Sequence, residues 1–432
     1  MIPQETIIIK KTRFNSVAKD AKPNLRILKN YDVTNQSNSN GTIENFLGLF
    51  HDKFNSLTKI LKKRTNLNPK LISRLSKVAS KSEVDLIGMV RKKWITKNNH
   101  LALIIEDLEA NCIAIVSKDD LKMFELAQTI MLDDVMGFKC VKLSNEMVIV
   151  KEFFWPDLEE HSMKEAENDL DAIIISDLHV GSKLFMEKEF QKFLNWLNGD
   201  TESEKEKQRI GRIKYMIIVG DNIDGIGVYP GQFEELEIKD LYKQYEKLEE
   251  LLLQVPEYIE MIMIPGQHDA VRRADPQPAI PEKFLPKLSM RKNFHLLGSP
   301  SWFEIEGLKA VIYHGACLHD LYSVINHLSP LEPHKAIIEL LKRRDLMTSY
   351  GIRQPYVPEK KDFMLIREEP DLYFGGDMHH TGYGKYKGCT IINSATWQER
   401  TDYQVSQGHI PTPGIAIQLE LKSRKITENS FI

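Results

Sequence analysis

Apolar residues at Ile43, Phe46, Leu47, Phe50, Phe54, Leu57 and Ile60 recur at three- and four-residue steps, the spacing of an amphipathic helix. The basic triplet Lys62, Lys63 and Arg64 suits the C-terminal end of that helix, where cations offset the exposed carbonyls. Just before it, the polar run NQSNSNG (35–41) has no apolar surface to bury and reads as a linker. A second short helical segment is predicted over 71–79. From Val84 the period changes. VDLIGMVRKKWIT, HLALIIEDL, NCIAIVS, VMGFKCVKL and EMVIVKEFFW are β-rich runs broken by polar turns, with a helix over 119–129 between the third and fourth. Five strands with a helix at that place follow the order of an OB barrel, a fold used for single strands and for protein contacts. From Asp169 onward short apolar strands alternate with helical stretches, the pattern of an α/β layer architecture. The expected division is a helical and linker region over 1–80, an OB-fold domain over 84–160 and an α/β domain over 169–425.

With 432 residues, two or three domains are expected. The 58 Lys+Arg against 61 Asp+Glu leave a net charge of −3, which argues against a chain that coats nucleic acid by bulk electrostatics. DNA contacts must then come from local patches. Arg91, Lys92 and Lys93 beside Trp94 form one candidate strip, against the plain alternative of a solvated strand face with one core Trp. Arg272 and Arg273 are candidates for gripping DNA phosphates, against a loop-fixing salt bridge. Cys112, Cys140, Cys317 and Cys389 are scattered with no C-x-x-C pair, so neither a disulfide framework nor a zinc ribbon is encoded and a reducing cytoplasm is expected. No stretch approaches the roughly 18 apolar residues of a membrane span, and the opening MIPQETIIIKKTRF has too short an apolar run for a signal peptide. A cytoplasmic protein with no membrane partner is the expectation.

The chemistry lies beyond residue 169, where apolar runs end again and again in metal-ligand residue types. AIIIS leads to Asp177 and His179; YMIIVG to Asp221, Asn222 and Asp224; IMIPG to Gln267, His268 and Asp269; AVIY to His314; and LYFGG to Asp377 and His379. In α/β sheets the loops at the carboxyl ends of strands converge on one edge, so all five can meet. Each piece alone is weak, since D-x-H is common by chance and a lone His after a strand is usually a core residue. The ordered set is the signal, with Gly220, Gly266, Gly315 and Gly376 at the strand exits to permit close backbone approach. Carboxylates mixed with imidazoles suit Mn, Fe, Zn or mixed pairs, and the number of ligands implies two ions. Asp221 is the candidate bridge, holding cations about 3.5–4 Å apart across a phosphoryl-transfer site. His268 is placed to stabilise phosphate charge or act as the leaving-group acid. Cys317, near His314, reads as a small buried residue.

In order and spacing these residues resemble the calcineurin-like metallophosphoesterases, whose pattern is D-x-H, G-D-x-x-D/H, G-N-H-D/E, H and G-H-x-H on a β-sandwich flanked by helices. The flanking stretches GDNIDGIGVYPGQ, PGQHDAVRRADPQPA, YHGACLHD, GYGKYKG, INSATWQ and PTPG are similar to the small-subunit family of the archaeal D-family DNA polymerases. With the OB-like region, the resemblance covers roughly residues 84–420. It implies an α/β fold in which an OB-like barrel precedes a calcineurin-like phosphoesterase β-sandwich, behind a helical N-terminal extension. It also implies a partner, the large catalytic polymerase subunit, and a manganese-dependent 3′–5′ exonuclease acting on DNA, with magnesium as the alternative metal. By the same resemblance Asp177, His179 and His379 hold one ion, Asp221 bridges, and Gln267, His314 and Asp377 face the second. His268 is the catalytic histidine, and Asp224 takes the place of a substrate-orienting residue. Two positions depart from the broad pattern: Gln267 stands where Asn is usual, and Asp377 where the first His of G-H-x-H is usual. Both keep an oxygen donor, and Asp377 makes the second site harder, favouring Mn or Mg over Zn. Two further readings follow, a non-catalytic scaffold that organises the large subunit and a free-standing phosphatase. The retained Asp177, His179, Asp221, His268 and His314 weigh against the first, and the OB-like module against the second. His380 is read as a neighbour of the ligand His379.

Overall fold

The computed structural model describes residues 16–347, 349–406 and 410–432; the apolar run near the N-terminus lies outside the described residues. A short strand β1 (Leu25–Ile27) comes first, followed by β2 (Glu83–Ile95), β3 (Leu101–Glu106), β4 (Asn111–Val116), β5 (Val135–Lys142) and β6 (Met147–Phe154). The last five close into a barrel in the order β2-β3-β4-β6-β5, with the helix Leu121–Ala127 between β4 and β5. Alternate positions such as Leu86, Leu103, Ala114, Phe138 and Val150 fill its interior, as a closed sheet requires. The barrel is therefore OB-like in strand order and in the place of its helix.

Beyond it run β7 (Asp171–Ile175), β8 (Ile213–Val219), β9 (Glu260–Ile264), β10 (Phe294–Leu296), β11 (Ser301–Ile305), β12 (Leu308–Ile312), β13 (Leu372–Gly375), β14 (Gly382–Tyr386), β15 (Cys389–Asn393), β16 (Ile415–Glu420) and β17 (Ile426–Ser430). With β1 they form two six-stranded mixed sheets, β10-β9-β8-β7-β16-β17 and β1-β11-β12-β13-β15-β14. Ile174, Ile217 and Ile417 of the first meet Phe303, Ala310 and Phe374 of the second in a shared apolar layer. Helices Glu187–Leu197 and Leu241–Leu252 cover the outer face of the first sheet, and Pro333–Arg343 covers the second. Because β7 and β8 are enclosed on both faces, every one of their residues is buried and the runs read as continuous apolar stretches. Strands β7, β8 and β9 run parallel, as do β12 and β13, so their carboxyl ends deliver their loops to one edge of the body.

The N-terminal region is more tightly integrated than a helix and linker. β1 adds an antiparallel edge to β11. The run 35–41 is tied down as well: the hydroxyl of Ser37 donates to Glu359, and the amide of Asn38 donates to the same carboxylate at 3.0 Å. The predicted helix forms over Ile43–Arg64, capped by Thr42 and Asn45 in a reciprocal box. Its buried stripe is Leu49, Lys53, Phe54, Leu57 and Leu61, while Ile43 and Leu47 stay exposed. The stripe is rotated from the one the apolar spacing predicts because the helix is wedged between two bodies. Phe54, Leu57 and Leu61 pack with Ile87 and Val135 of the barrel and Leu365 of the sheet body. The expected helix at 71–79 is a 3-10 helix, Ile72–Lys77, and the C-terminal strand extends the sheet body past residue 425. Among the described residues no helix is long and apolar enough to cross a membrane.

Candidate metal centre

The loops leaving β7, β8, β9, β12 and β13 bring together Asp177, His179, Asp221, Asp224, Gln267, His268, His314, Asp377 and His379 around a cleft of about 310 Å³ and in its floor. Three overlapping groups have ligand atoms within 4.8 Å of one another: Asp177, His179 and His379; His179, Asp221 and His268; and Asp177, Asp221 and His314. Asp221 and Asp177 each belong to two of them, so the groups form one continuous centre.

The backbone holds these side chains in an unusual way. Asp177, His179, Asp221, Asp377 and His379 have φ values of 51°, 51°, 48°, 66° and 53°, in the left-handed region that non-glycine residues rarely occupy. Such conformations cost on the order of 1 kcal/mol each and cluster where function demands them. Two glycines make the approach possible. A Cβ on Gly266 would come within 2.2 Å of Asp221 Oδ1, and one on Gly220 within 2.4 Å of His314 Nδ1. Asp269 fastens the loops together: one carboxylate oxygen accepts from the amides of Gly266 (2.9 Å) and Asn222 (3.2 Å) and from the Asn222 side chain (2.9 Å), while the other accepts from Tyr245. Burial, with Asp221 nearby, pushes the Asp269 carboxyl up to about 6.

Hydrogen-bond partners set the tautomers. His314 Nδ1 lies 2.8 Å from the carbonyl of Val219 and His268 Nδ1 lies 2.7 Å from that of Asp224; a carbonyl only accepts, so both Nδ1 atoms carry the proton. His179 Nδ1 lies 3.1 Å from a carboxylate oxygen of Asp224 and follows the same rule. The three Nε2 lone pairs are thereby turned toward Asp221 Oδ2, at 3.3 Å for His314 and 3.9 Å for His179 and His268. His179 Nε2 also faces His379 Nε2 at 3.0 Å. Lone pairs converging on a carboxylate oxygen repel unless protons or metal cations lie between them. Asp177 Oδ1 and His314 Nε2 are buried with no hydrogen-bond partner, as expected of metal-ligating atoms. The donor set therefore fits two divalent metal ions, with His179 held from behind by a carboxylate as metal-ligating imidazoles usually are.

The electrostatics show the same demand for positive charge beside Asp221. Burial alone would raise the Asp221 carboxyl, but the imidazoles of His314 and His268 outweigh it and hold it well below the usual carboxylate range. Burial would likewise lower His314, yet Asp221 raises it well above its ordinary value. His179 is lowered, mainly by burial.

Not every candidate faces the cleft in the same way. Both oxygens of Asp224 are engaged, one by His179 and by Gln398 at 3.2 Å, the other by Gln232 at 2.9 Å. The guanidinium of Arg272 is turned away onto the carbonyl of Pro276, Ser37 and Glu359, a loop-fixing arrangement that leaves it outside the cleft. Arg273 does line the cleft, where its guanidinium donates to the carbonyl of Val228 at 3.0 Å. In the barrel, Lys93 is bound to the carbonyls of Gln128 and Ile130, and Lys92 lies over Trp94 at 5.7 Å. His380 points to the carbonyl of Ile410, and Cys317 is buried. Among the supports that sequence reasoning missed are Gln404, 2.8 Å from His379 Nδ1, and His319, 3.1 Å from Asp377 Oδ2. A second His five residues after His314 was the only available sign of the latter.

Sequence comparisons point the same way. The profile of the family of DNA polymerase alpha/epsilon B subunits matches residues 172–385. The chain is 37% identical over 405 residues to the DNA polymerase II small subunit of Methanocaldococcus jannaschii, covering 94% of this chain and 68% of that one. It is 36% identical over 400 residues to the corresponding subunit of Methanothermobacter thermautotrophicus, covering 92% and 82%. Matches that run through the barrel as well as through the Asp and His centre account for both halves of the architecture at once, and the chain belongs to the family of DNA polymerase II (D-family) small subunits.

Proposed function

We propose that the chain pairs with a large catalytic subunit and serves as the proofreading 3′–5′ exonuclease of a D-family DNA polymerase, removing nucleotides from DNA ends at the Asp and His centre. The observation that supports it best is the convergence of three imidazole Nε2 atoms on Asp221 Oδ2. In this reading the body over 169–425 is a calcineurin-like phosphoesterase domain and the barrel over 84–160 an OB-fold module that meets the partner. Asp177, His179 and His379 would hold one ion, Gln267, His314 and Asp377 would face the other, and Asp221 would serve both. Two divalent ions, with manganese favoured by the mixed oxygen and nitrogen donors, would supply Lewis acidity to the phosphodiester and offset charge on the attacking and departing oxygens.

The chain's own residues do the rest. His268 keeps its Nδ1 proton on the Asp224 carbonyl and presents Nε2 to the cleft, where, once Nε2 has taken up a second proton, the imidazolium stabilises phosphate charge and hands that Nε2 proton to the leaving oxygen. Asp224 holds the ring of His179 and, through its carbonyl, that of His268, so it acts as a positioning residue for both. Arg273 at the cleft wall receives a DNA phosphate.

One observation favours the scaffold reading: Asp377 is absent from the three tight ligand groups. A single experiment separates the two. The purified chain, alone and with its large subunit, is given 5′-labelled DNA with matched or mismatched 3′ ends in Mn²⁺ or Mg²⁺, beside His268→Ala. Shortening from the 3′ end that the variant loses supports the exonuclease. No cleavage even with the partner present overturns it in favour of the scaffold.

A further inference from the structure

Asp377 stands where the wider phosphoesterase pattern has an imidazole, and the orientation of its carboxylate is left to its neighbours. It projects from a loop residue at φ 66°, its side chain is 11% exposed, and its backbone amide, not its carboxylate, is what donates to Asp177. A carboxylate so placed is free to turn about its own bonds unless something fixes it.

Two imidazoles bracket it. His314 Nε2 lies 3.6 Å from Oδ1, and His319 Nε2 lies 3.1 Å from Oδ2, a charge contact that leaves Oδ2 without an aligned hydrogen bond. The turn between the two histidines makes this possible. His314 follows the end of β12, Gly315 takes φ 122°, and the helix Leu318–Val324 then sets His319 on the cleft wall. A side chain at Gly315 would meet the carbonyl of Gly376 at 3.2 Å and Asp377 Cβ at 3.5 Å, so the turn and the Asp377 loop are in contact. Of the other groups near Asp377, the carboxylates of Asp177 and Asp221 repel it, while the His379 imidazole attracts it. His319 is 29% exposed and belongs to none of the ligand groups.

We infer that His319 is a positioning residue of the metal centre: it holds Asp377 Oδ2 so that Oδ1 is directed toward His314 and the second ion, restoring through a neighbour the imidazole that position 377 lacks. The inference rests on the two-metal reading above. Outer partners of ligating groups typically change metal affinity by about 10–100-fold when removed.

The test is Mn²⁺ titration by calorimetry on the full-length chain, comparing wild type with His319→Ala and His319→Gln, and with thermal melting of each protein. The expected result is two sites in wild type; in His319→Ala the weaker is lost or weakened about 10–100-fold while the tighter is unchanged. His319→Gln, which keeps an N–H donor, recovers much of the loss. Wild-type constants at both sites in His319→Ala overturn the inference and leave the two-metal reading standing. Equal weakening of both sites with a lowered melting temperature also overturns it, since that is a folding defect. Fewer than two ions in wild type overturns the two-metal reading, and the inference with it.

Discussion

Replacing Lys53 by methionine keeps the aliphatic volume in the helix Ile43–Arg64 and removes one charge from between the barrel and the sheet body. Lys53 Nζ lies 2.6 Å from Asp345 Oδ2, and both side chains are 3% exposed. Asp133 and Asp362 add to the field on the same ammonium. At that distance and an effective permittivity near 20 the pair attracts by about 6 kcal/mol, most of which is offset by desolvation. Removing one partner of a buried pair leaves the other uncompensated and costs about 3–5 kcal/mol. The pH dependence carries a definite sign. Burial pushes the Asp345 carboxyl up to about 7, even though Lys53 acts to lower it, so without Lys53 it moves higher. An acid whose folded value lies above its unfolded value of about 3.9 contributes stability at low pH that is lost as the pH rises. The deficit of Lys53→Met is therefore largest at about pH 8 and shrinks by roughly 1–2 kcal/mol at about pH 6. Urea unfolding followed by tryptophan fluorescence at both pH values measures it. A deficit under about 1 kcal/mol, or one that grows on acidification, refutes the argument that this ion pair joins the two bodies.

Gly266→Ala forces a Cβ to within 2.2 Å of Asp221 Oδ1, and is expected to abolish metal binding in calorimetry while the far-ultraviolet dichroism stays that of a folded chain. Asp224→Asn weakens the hold on the His179 ring, and Mn²⁺ affinity is expected to fall about 10–100-fold. Arg273→Ala should raise KM for DNA uniformly across sequences and lower the salt slope by about 1, whereas Arg272→Ala, whose guanidinium binds Pro276 and Glu359, should leave DNA affinity unchanged and lower thermal stability.

The barrel and the converging strand ends were legible in the sequence because both rest on local signals. Alternation within each β run, and an apolar strand ending in Asp or His, are visible within about ten residues. What escaped depends on distant partners. β1 is only three residues long and exists through pairing with β11, far along the chain. The run 35–41 is ordered by Glu359, which composition alone cannot reveal. Helix orientation failed for the same reason, since Lys53 is buried only because Asp345 waits for it. In the centre, residue types marked which side chains converge, yet that Arg273 lines the cleft while Arg272 turns away from it was undecidable from the sequence. His319 and Gln404 looked like ordinary helix residues until folding set them against Asp377 and His379.

The claim on which everything depends is that Asp221 joins two metal ions in one centre. Electron paramagnetic resonance of the Mn²⁺-loaded chain addresses it directly, because two ions about 4 Å apart across a shared carboxylate couple magnetically. The account predicts two Mn²⁺ per chain with an exchange-coupled spectrum, replaced in Asp221→Ala by uncoupled or absent Mn²⁺. A single isolated Mn²⁺ signal in the wild-type chain, or a coupled pair that survives Asp221→Ala, contradicts it.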